Sequence, residues 1–263
     1  MDIGNGQIYN DDCFNVFPKI ADKSVDMVLC DLPYSRSASK WDKPLDLGIL
    51  WESYKRIVKD DRAIVLFATQ PFTTELISSN IEMFKYSWVW FKHSAPNFLN
   101  AKTMPLKVIE DICVFGFKPV SYNKKKEYML YNPQFSQGKP YTCKSGKQKT
   151  DTAIIRDRAD AKSKMGGVIT QSDGRRYPTT LLDYTKDKEH FHSTQKPVEL
   201  LRYLIRTYSN EGDLVLDNTA GSMSTAIAAI LEKRRFLMVE KDDHYFEIGK
   251  KRIEDEMKSP ILF

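Results

Sequence analysis

The chain has 263 residues, of which 41% are hydrophobic and 29% are charged, and this suits one sizeable domain or one domain with a large insertion. Its formal net charge of +5 only weakly suggests a polyanionic partner. No apolar run approaches the ~20 residues of a membrane span, and the polar, acidic N-terminus is unlike a signal peptide, so we expect a cytoplasmic protein.

The first half of the chain alternates short apolar runs with helical patterns. The runs VDMVLC and AIVLFA are typical of strands that are buried on both faces. Between them lies a segment with apolar residues at helical spacing. The elements predicted here are a strand, a helix, a strand, a short helix and two further strands, in the order Val25–Cys30, Leu47–Lys59, Ala63–Ala68, Thr73–Asn80, Tyr86–Phe91 and Ile109–Phe117.

The last third of the chain repeats this alternation. Val198–Ser209 places its apolar residues on one helical face, and a charged helix closes the chain. Leu214–Leu216 and Phe236–Val239 are predicted to be short buried strands, separated by a helix from about Ser224 to Glu232. Strands that alternate with helices predict an α/β fold with a mostly parallel sheet.

The segment 119–190 differs in composition from the rest and is called the basic segment below. It holds 15 Lys and Arg against 8 Asp and Glu, an excess of +7, which leaves the remainder of the chain near −2. Aromatic residues are interleaved with these charges, among them Tyr122, Tyr128, Tyr131, Phe135, Tyr141 and Tyr177. The composition fits either a solvated surface insertion or an insertion that contacts nucleic acid, because phosphate contacts need Lys and Arg.

The four cysteines are scattered along the chain, at Cys13, Cys30, Cys113 and Cys143. No pair has the C-x-x-C spacing of a zinc site, so no metal is predicted. The first three sit among apolar residues, which is typical of small buried side chains in a reducing compartment.

The segment Leu214–Ile230 reads LVLDNTAGSMSTAIAAI, which is a strand, a turn of small residues and the start of a helix. In doubly wound sheets ligands bind beyond the carboxyl ends of strands, here at Asp217, and small residues let the backbone approach the ligand. The helix N-terminus offers free N–H groups. The next strand ends in Glu240, where an acid can accept hydrogen bonds from ribose hydroxyls.

This pattern predicts a nucleoside site, although a tight strand-to-helix turn with no ligand is the simpler interpretation. By itself the pattern does not separate a dinucleotide from S-adenosylmethionine. The loop lacks the G-x-G-x-x-G that close approach to a pyrophosphate needs, and this favours a ligand without phosphate.

A second feature is the tetrapeptide DLPY at Asp31–Tyr34, directly after the first predicted strand. Asp31 and the carbonyl groups near Leu32 and Pro33 are acceptors that can hold an amino group, and Tyr34 can stack on a flat ring. An exocyclic amine of a base is a poor nucleophile because its lone pair is delocalised into the ring. Acceptors around its hydrogens favour a pyramidal nitrogen that can attack an electrophile such as a sulfonium methyl group.

Together these motifs resemble those of the DNA amino-methyltransferases that modify N6 of adenine or N4 of cytosine. DLPY is similar to their D/N/S-P-P-Y/F catalytic motif, LDNTAGSMST to their D-P-F-x-G-S-G-T cofactor loop, and HSTQKP at His192–Pro197 to their H-P-T-Q-K-P signature. The catalytic motif comes first and the cofactor loop last, which resembles the beta class. NFLNAK at Asn97–Lys102, EDICVFG at Glu110–Gly116 and RYPTTLL at Arg176–Leu182 resemble phage-type and prophage-type members.

The resemblance implies a Rossmann-like, S-adenosylmethionine-dependent methyltransferase fold whose target is double-stranded DNA. It implies a catalytic half at 1–118, a target-recognition insertion at 119–190 and a cofactor-binding half at 191–263. The residues implied to hold and stack the target base are Asp31, Leu32, Pro33 and Tyr34. The residues implied to bind S-adenosylmethionine are Asp12, Cys13, Asp31, Thr194, Lys196, Asp217, Asn218, Thr219, Ala220, Gly221, Ser222 and Glu240.

Some of these residues have simpler interpretations. Asp12 fits a turn residue, Lys196 fits a solvated charge at a helix start, and His192 fits a surface histidine to which we assign no chemistry. Polar Ser35–Lys40 has the composition of a loop that could close over a flipped base.

The chain departs from the family pattern at three places. Leu32 replaces the first proline of the catalytic motif, and Asn218-Thr219 replaces Pro-Phe, which removes an aromatic contact to the cofactor. Met223 replaces the second glycine of G-S-G, and its long side chain is predicted to crowd the loop or cover the ligand. We therefore expect weakened cofactor binding.

Adenine N6 is the predicted target, because in the family an aspartate at the position of Asp31 goes more often with adenine and a serine with cytosine. A cytosine-N4 enzyme, a catalytically impaired DNA-binding homologue and a nicotinamide-dependent dehydrogenase are the alternatives. DLPY and the missing third glycine argue against the dehydrogenase. The sequence does not decide whether the protein forms a homodimer or has a partner nuclease, and it does not give the recognition sequence.

Overall fold

The computed structural model describes residues 1–33, 44–120, 127–144, 169–189, 191 and 194–258. The chain divides into two compact units, a larger main unit and a smaller insert unit. The main unit comprises Met1–Asn132 and Thr179–Phe263, and the insert unit comprises Pro133–Pro178. None of the described helices is long and apolar enough to cross a membrane.

The described elements are numbered in chain order. The strands are β1 (Asp2–Ile3), β2 (Gly6–Asn10), β3 (Val25–Asp31), β4 (Val58–Ala68), β5 (Phe84–Phe91), β6 (Ile109–Gly116), β7 (Ser136–Gln137), β8 (Tyr141–Lys144), β9 (Ile169–Ser172), β10 (Arg175–Arg176), β11 (Leu181–Asp183), β12 (Leu214–Asp217) and β13 (Arg235–Glu240). The helices are α1 (Cys13–Val16), α2 (Leu47–Ile57), α3 (Phe72–Ser79), α4 (Val198–Tyr208), α5 (Ser224–Leu231) and α6 (Asp243–Lys258). Short 3-10 turns occupy Phe17–Lys19 and Phe98–Asn100.

The main unit is built on a sheet with the strand order β1-β2-β13-β12-β3-β4-β6-β5-β11. The consecutive neighbours from β2 to β4 pair in parallel, and β6 pairs antiparallel with both β4 and β5. The predicted α/β fold with a mostly parallel sheet is therefore confirmed. From β3 the chain continues outward to β4, whereas from β12 it continues the opposite way to β13. The junction of β3 and β12 is thus the switch point at which such sheets bind ligands.

Strand β3 shows why its sequence is an unbroken apolar run. Met27 and Leu29 pack into the core on one face of the sheet, together with α4 and α5. Val28 and Cys30 pack into the core on the other face, together with α2. Because both faces are covered, every position from Val25 to Cys30 needs an apolar or paired side chain.

The largest error in a predicted boundary lies between α2 and β4, whereas the other predicted boundaries differ by one or two residues. The helix predicted over Leu47–Lys59 ends at Ile57, and β4 begins at once at Val58 and runs to Ala68. The stretch KDDR is polar, but Val58 pairs with Val25 of β3, and Lys59 forms an ion pair with buried Asp26 at 2.6 Å. Sheet pairing therefore extends the strand through residues whose composition is typical of a loop.

The insert unit contains two short antiparallel pairs, β7 with β10 and β8 with β9. Arg175 lies 3.8 Å from the ring centre of Phe135, and Arg176 lies 4.8 Å from that of Tyr141. Gly174 has φ +99° and lies so close to the Gly138 carbonyl that a Cβ would clash with it. Among the described residues of this unit, arginine side chains stack on aromatic rings and hold its short strands together.

Candidate active site at the carboxyl edge of the sheet

A cavity of about 1050 Å³ opens beyond the carboxyl ends of β3 and β12, at the switch point of the sheet. All the site residues implied by the sequence that the structure describes line this cavity. They are Asp12, Cys13, Asp31, Leu32, Pro33, Thr194, Lys196, Asp217, Asn218, Thr219, Ala220, Gly221, Ser222 and Glu240. Tyr34 and the segment Ser35–Lys40 lie outside the described residues.

Asp31 ends β3 and takes part in a buried ionic chain. The Lys196 ammonium lies 2.6 Å from Asp31 Oδ2 and 2.9 Å from Glu110 Oε1. The other oxygen of Glu110 lies 3.4 Å from the Lys92 ammonium. The side chains of Lys196 and Glu110 are 8% and 7% exposed, whereas that of Asp31 is 22% exposed. All four residues of this ionic chain line the cavity, and Asp31 is the most exposed of them.

The protonation of Asp31 depends on these neighbours. Burial raises the pKa of Asp31 to about 6, the Lys196 charge acts to lower it, and the Glu110 charge raises it again. Among the described residues, Asp31 Oδ1 has no hydrogen-bond partner. An anionic oxygen without a donor is costly in a buried position, so a ligand donor such as an amino group would stabilise it.

The small-residue loop after β12 is held to β13. Gly221 N donates to Glu240 Oε2 at 2.6 Å, and Asp242 N donates to Glu240 Oε1 at 2.8 Å. Gly221 has φ +53°, which a glycine adopts without strain. Burial raises the pKa of Glu240. Each carboxylate oxygen keeps a lone pair that can accept from a ligand hydroxyl.

The same loop is tied to β3 through Thr219. Thr219 Oγ1 donates to the Asp31 carbonyl at 3.0 Å, and Thr219 N donates to Asp217 Oδ1 at 3.1 Å. The second Asp217 oxygen accepts from Thr225 Oγ1 at 2.7 Å, and burial raises the pKa of Asp217 to about 7. The threonine that stands in place of the family's phenylalanine therefore couples the small-residue loop to the end of β3.

Asn218 stands in place of the family's proline, and two buried side chains hold it by hydrogen bonds. Its Oδ1 accepts from the Tyr54 hydroxyl at 2.6 Å and from the Cys30 thiol at 3.0 Å. Its Nδ2 is buried and has no hydrogen-bond partner among the described residues. The side chain is thus fixed by α2 and β3, and its amide group is a further polar group at the cavity floor.

Met223 lies in the core and not in the cavity. Its side chain is fully buried, and it contacts Gly249 of α6 so closely that a Cβ on that glycine would lie 2.5 Å from Met223 Cγ. The residue has φ 59° and precedes α5 directly. The crowding of the ligand loop that the sequence predicted for this side chain is therefore not what the structure shows.

At the other side of the cavity, Asp12 caps α1 by accepting from Phe14 N at 3.0 Å and forms an ion pair with Lys241 at 2.9 Å. Its neighbour Cys13 is buried, and burial raises the pKa of its thiol to about 11. Asp12 is therefore both a helix cap and part of the cavity wall, and the Cys13 thiol is neutral near pH 7.

Sequence reasoning missed Glu110, Lys92 and the aromatic wall. Phe67 and Trp90 line the cavity, and the Lys196 ammonium lies 5.0 Å from the Phe67 ring centre. Glu110 begins the apolar run EDICVFG, and an acid at a strand start is typical of a solvated residue. The signal that could have identified it is its position in a segment already noted for its resemblance to one family.

Comparison with known proteins gives a consistent result. A family model described as "DNA methylase" matches residues 25–251. The chain is 26% identical over 262 residues to a protein of Escherichia coli (strain K12) named DNA adenine methyltransferase YhdJ, covering 94% of this chain and 82% of that protein.

Two solved structures extend the comparison to the fold. A complex of M1.HpyAVI with SAM has a TM-score of 0.59 and 20% identity, covering 94% of this chain and 98% of that chain. PvuII DNA methyltransferase, described as cytosine-N4-specific, has a TM-score of 0.63 and 15% identity, covering 96% and 91%. The predicted methyltransferase fold is confirmed by these likenesses.

Proposed function

The chain belongs to the DNA methylase family, and from this premise we propose that it transfers a methyl group from S-adenosylmethionine to the exocyclic N6 of adenine in double-stranded DNA. The observation that carries the proposal is Asp31. It is an acceptor at the switch point of the sheet, it lines the cavity, and its Oδ1 has no hydrogen-bond partner among the described residues.

The cavity suits S-adenosylmethionine, which supplies an electrophilic methyl group on a sulfonium when it is bound. Glu240 is proposed to accept from the ribose hydroxyls, since its two oxygens hold the loop and keep spare lone pairs. Asp217 and the loop Asn218–Ser222 are proposed to line the nucleoside, with Asp12 and Cys13 opposite. Thr194 and Lys196 are proposed to lie near the methionine end.

Catalysis in this proposal depends on acceptors that surround the target amine. Asp31 and the carbonyls near Leu32 and Pro33 accept its hydrogens, which draws the nitrogen lone pair out of conjugation with the ring. Tyr34 stacks on the base. We give Lys196 the further role of positioning Asp31, because its ammonium lies 2.6 Å from the carboxylate. The pair stays aligned because Glu110 holds Lys196 from behind at 2.9 Å.

A base that is stacked in a duplex cannot reach such a cavity, so the target must be flipped out of the helix. We propose that the basic segment, which contains the insert unit, contacts the phosphates and grooves and stabilises the distorted duplex. The order of the motifs, with the catalytic motif first, supports assignment to the beta class.

Adenine is favoured over cytosine by Asp31 and by the name of the relative from Escherichia coli. The competing candidate is transfer to N4 of cytosine, which is supported by the similarity in fold to PvuII DNA methyltransferase, an enzyme described as cytosine-N4-specific. The test incubates the protein with labelled S-adenosylmethionine and DNA and then separates the nucleosides. Labelled N6-methyladenine is the expected product, and N4-methylcytosine without N6-methyladenine would overturn the adenine assignment.

The alternative of an impaired homologue depended mainly on Met223. Since this side chain packs against Gly249 and leaves the cavity clear, we expect ordinary cofactor binding. Calorimetric titration with S-adenosylmethionine tests this directly. No detectable heat at millimolar cofactor would favour the impaired homologue.

A further inference from the structure

Two neighbouring apolar side chains are strongly exposed at a 3-10 turn between β5 and β6. Phe98 is 73% exposed and Leu99 is 96% exposed. Single exposed apolar residues are ordinary on a protein surface. Here two such residues are adjacent, and Leu99 is the most exposed large hydrophobic residue that the structure describes. Such a pair indicates a contact surface. We call Phe98 and Leu99 the apolar tip.

The apolar tip is held in place by its own loop. Asn97 Nδ2 donates to the Pro105 carbonyl at 3.0 Å, and Asn97 Oδ1 accepts from Lys107 N at 2.8 Å. Asn97 therefore ties both ends of the loop together directly before the tip. Backbone hydrogen bonds close the turn itself, with Asn100 N donating to Asn97 O at 2.9 Å. The exposed pair thus projects from a loop, residues 97–107, that its own hydrogen bonds hold together.

The two ends of this loop form part of the cavity wall. Pro96, Asn97 and Lys107 line the cavity together with Asp31. Since Asn97 directly precedes Phe98, the apolar tip lies at the rim of the cavity that receives the target base in the proposed function.

The charge around the apolar tip fits a polyanion. Residues 92–109 contain four basic residues and no Asp or Glu. Of the four, Lys92 pairs with Glu110 and His93 contacts Asp183, so the charge that can meet a polyanion comes from Lys102 and Lys107. Lys102 and Lys107 are exposed. An apolar point flanked by lysines matches the duplex, whose phosphates lie outside and whose stacked bases lie within.

We propose that Phe98 and Leu99 enter the base stack of duplex DNA next to the extruded base and fill the gap that it leaves. This rests on the proposed function. Proteins that kink DNA insert Phe and Leu between base steps in this way, and the contact repays part of the loss of stacking. The tip would therefore lower the cost of flipping rather than the cost of the methyl-transfer step.

The test compares two substrates that differ only in how easily the target base leaves the helix. One duplex is fully paired at the site mapped by methylation sequencing, and in the other the target base faces an abasic position. For Phe98→Ala/Leu99→Ala, we expect kcat/KM to fall about tenfold or more on the paired duplex and less than about threefold on the abasic duplex. The matched control is Ile49→Ala/Ile81→Ala, which removes two exposed side chains that do not line the cavity and should change neither value.

Cofactor affinity and thermal unfolding of the tip variant should match the wild type, because both side chains are exposed. An equal loss on both duplexes, or no loss on either, would overturn the proposed insertion. If the wild-type protein methylates neither duplex, the proposed function itself fails, and the two failures are thereby distinguished.

Discussion

Among single residues, Glu110 acts on Asp31 without touching it, through the Lys196 ammonium that lies between them. It contacts Lys196, which in turn contacts Asp31, and all three are at least partly buried. Removing its charge acts on Asp31 in a definite direction, because the negative charge of Glu110 raises the pKa of Asp31. The role we assign to Glu110 is positioning, since it acts through Lys196.

The pH dependence of methyl transfer tests this role. Protonation turns one Asp31 oxygen into a donor and removes the charge that makes the carboxylate a strong acceptor, so kcat should fall about tenfold per pH unit as the pH drops below the Asp31 pKa of about 6. In Glu110→Gln the pKa of Asp31 should be lower, and the acid limb of the kcat profile should move to lower pH. Steady-state rates between pH 4.5 and pH 8 measure the acid limb of the wild type and that of Glu110→Gln.

The matched control is Asp111→Asn on the same strand. Asp111 accepts from Thr73 Oγ1 at 2.7 Å and does not line the cavity, and asparagine can keep that hydrogen bond. Its acid limb should coincide with that of the wild type. If Glu110→Gln leaves the limb in place or moves it to higher pH, Glu110 does not influence Asp31 as the contact distances indicate.

Removing the acceptor itself separates chemistry from cofactor binding. In Asp31→Ala, transfer should be abolished, because no carboxylate remains to hold the target amine. S-adenosylmethionine affinity should largely persist, since Glu240 still holds the ligand loop through Gly221. Rates with labelled cofactor and calorimetric titration check the two halves of this prediction. Full activity in the variant would mean that Asp31 is not the acceptor.

The site was predictable wherever a residue follows a strand. Asp31, Asp217 and Glu240 each end a parallel strand, and parallel strands bring their carboxyl ends to one edge of the sheet. Glu110 is the second residue of β6, which runs antiparallel to β4, so the start of β6 lies at the same edge of the sheet. The composition of β6 does not reveal this direction of pairing. A strand's direction in the sheet is set by distant partners.

At the scale of elements, α5 and α6 meet through Met223 and Gly249. The methionine fills the space that the missing side chain of the glycine leaves, so the two residues are complementary. The sequence could show only that Met223 departs from the family pattern at the ligand loop. It could not show that the chain turns at φ 59° and directs the side chain into the core.

A double-mutant cycle tests this complementarity. Gly249→Ala should destabilise the fold by about 1–3 kcal/mol, because the new Cβ meets Met223 Cγ at 2.5 Å. Met223→Gly should cost roughly 2–5 kcal/mol through loss of buried contacts, offset by about 1 kcal/mol because glycine tolerates positive φ. In the double variant the cost of the added alanine should disappear. Urea unfolding measures all four proteins.

Cofactor affinity in the same variants shows whether Met223 affects the ligand loop. Met223→Gly restores the glycine of the family pattern, yet we expect its S-adenosylmethionine Kd to stay within about threefold of the wild type. A tenfold tighter Kd would mean that Met223 crowds the ligand after all. Additive destabilisation in the cycle would show that Met223 and Gly249 do not share one space.

Element boundaries were predicted best where packing and local pattern agree. Helix α4 begins at Val198 as predicted and ends one residue early at Tyr208, and its buried residues include Leu201, Leu204 and Ile205. Strands β2 and β11 escaped prediction, because Gly6–Asn10 and Leu181–Asp183 are too short to show a period. They are strands because β13 and β5 supply hydrogen-bonding edges.

At the scale of the whole molecule, the excess of positive charge lies mainly in the basic segment, whereas the cavity residues, apart from Lys186, come from outside it. The basic segment carries an excess of +7, while the rest of the chain is near −2. The cavity residues come from outside the insert unit, which the structure describes as a compact unit of its own. This division predicts that phosphate binding and cofactor binding can be altered independently.

Salt dependence of DNA binding tests that division. Neutralising Lys139 and Arg175, which are both exposed in the insert unit, should weaken binding and reduce the slope of log K against log salt by about 0.9 for each lost phosphate contact. Lys55→Gln/Lys251→Gln makes the same charge change on exposed residues of the main unit and should leave the slope unchanged. Both variants should bind S-adenosylmethionine as the wild type does. Equal slope changes in the two variants would mean that net charge alone, and not the insert unit, governs DNA affinity.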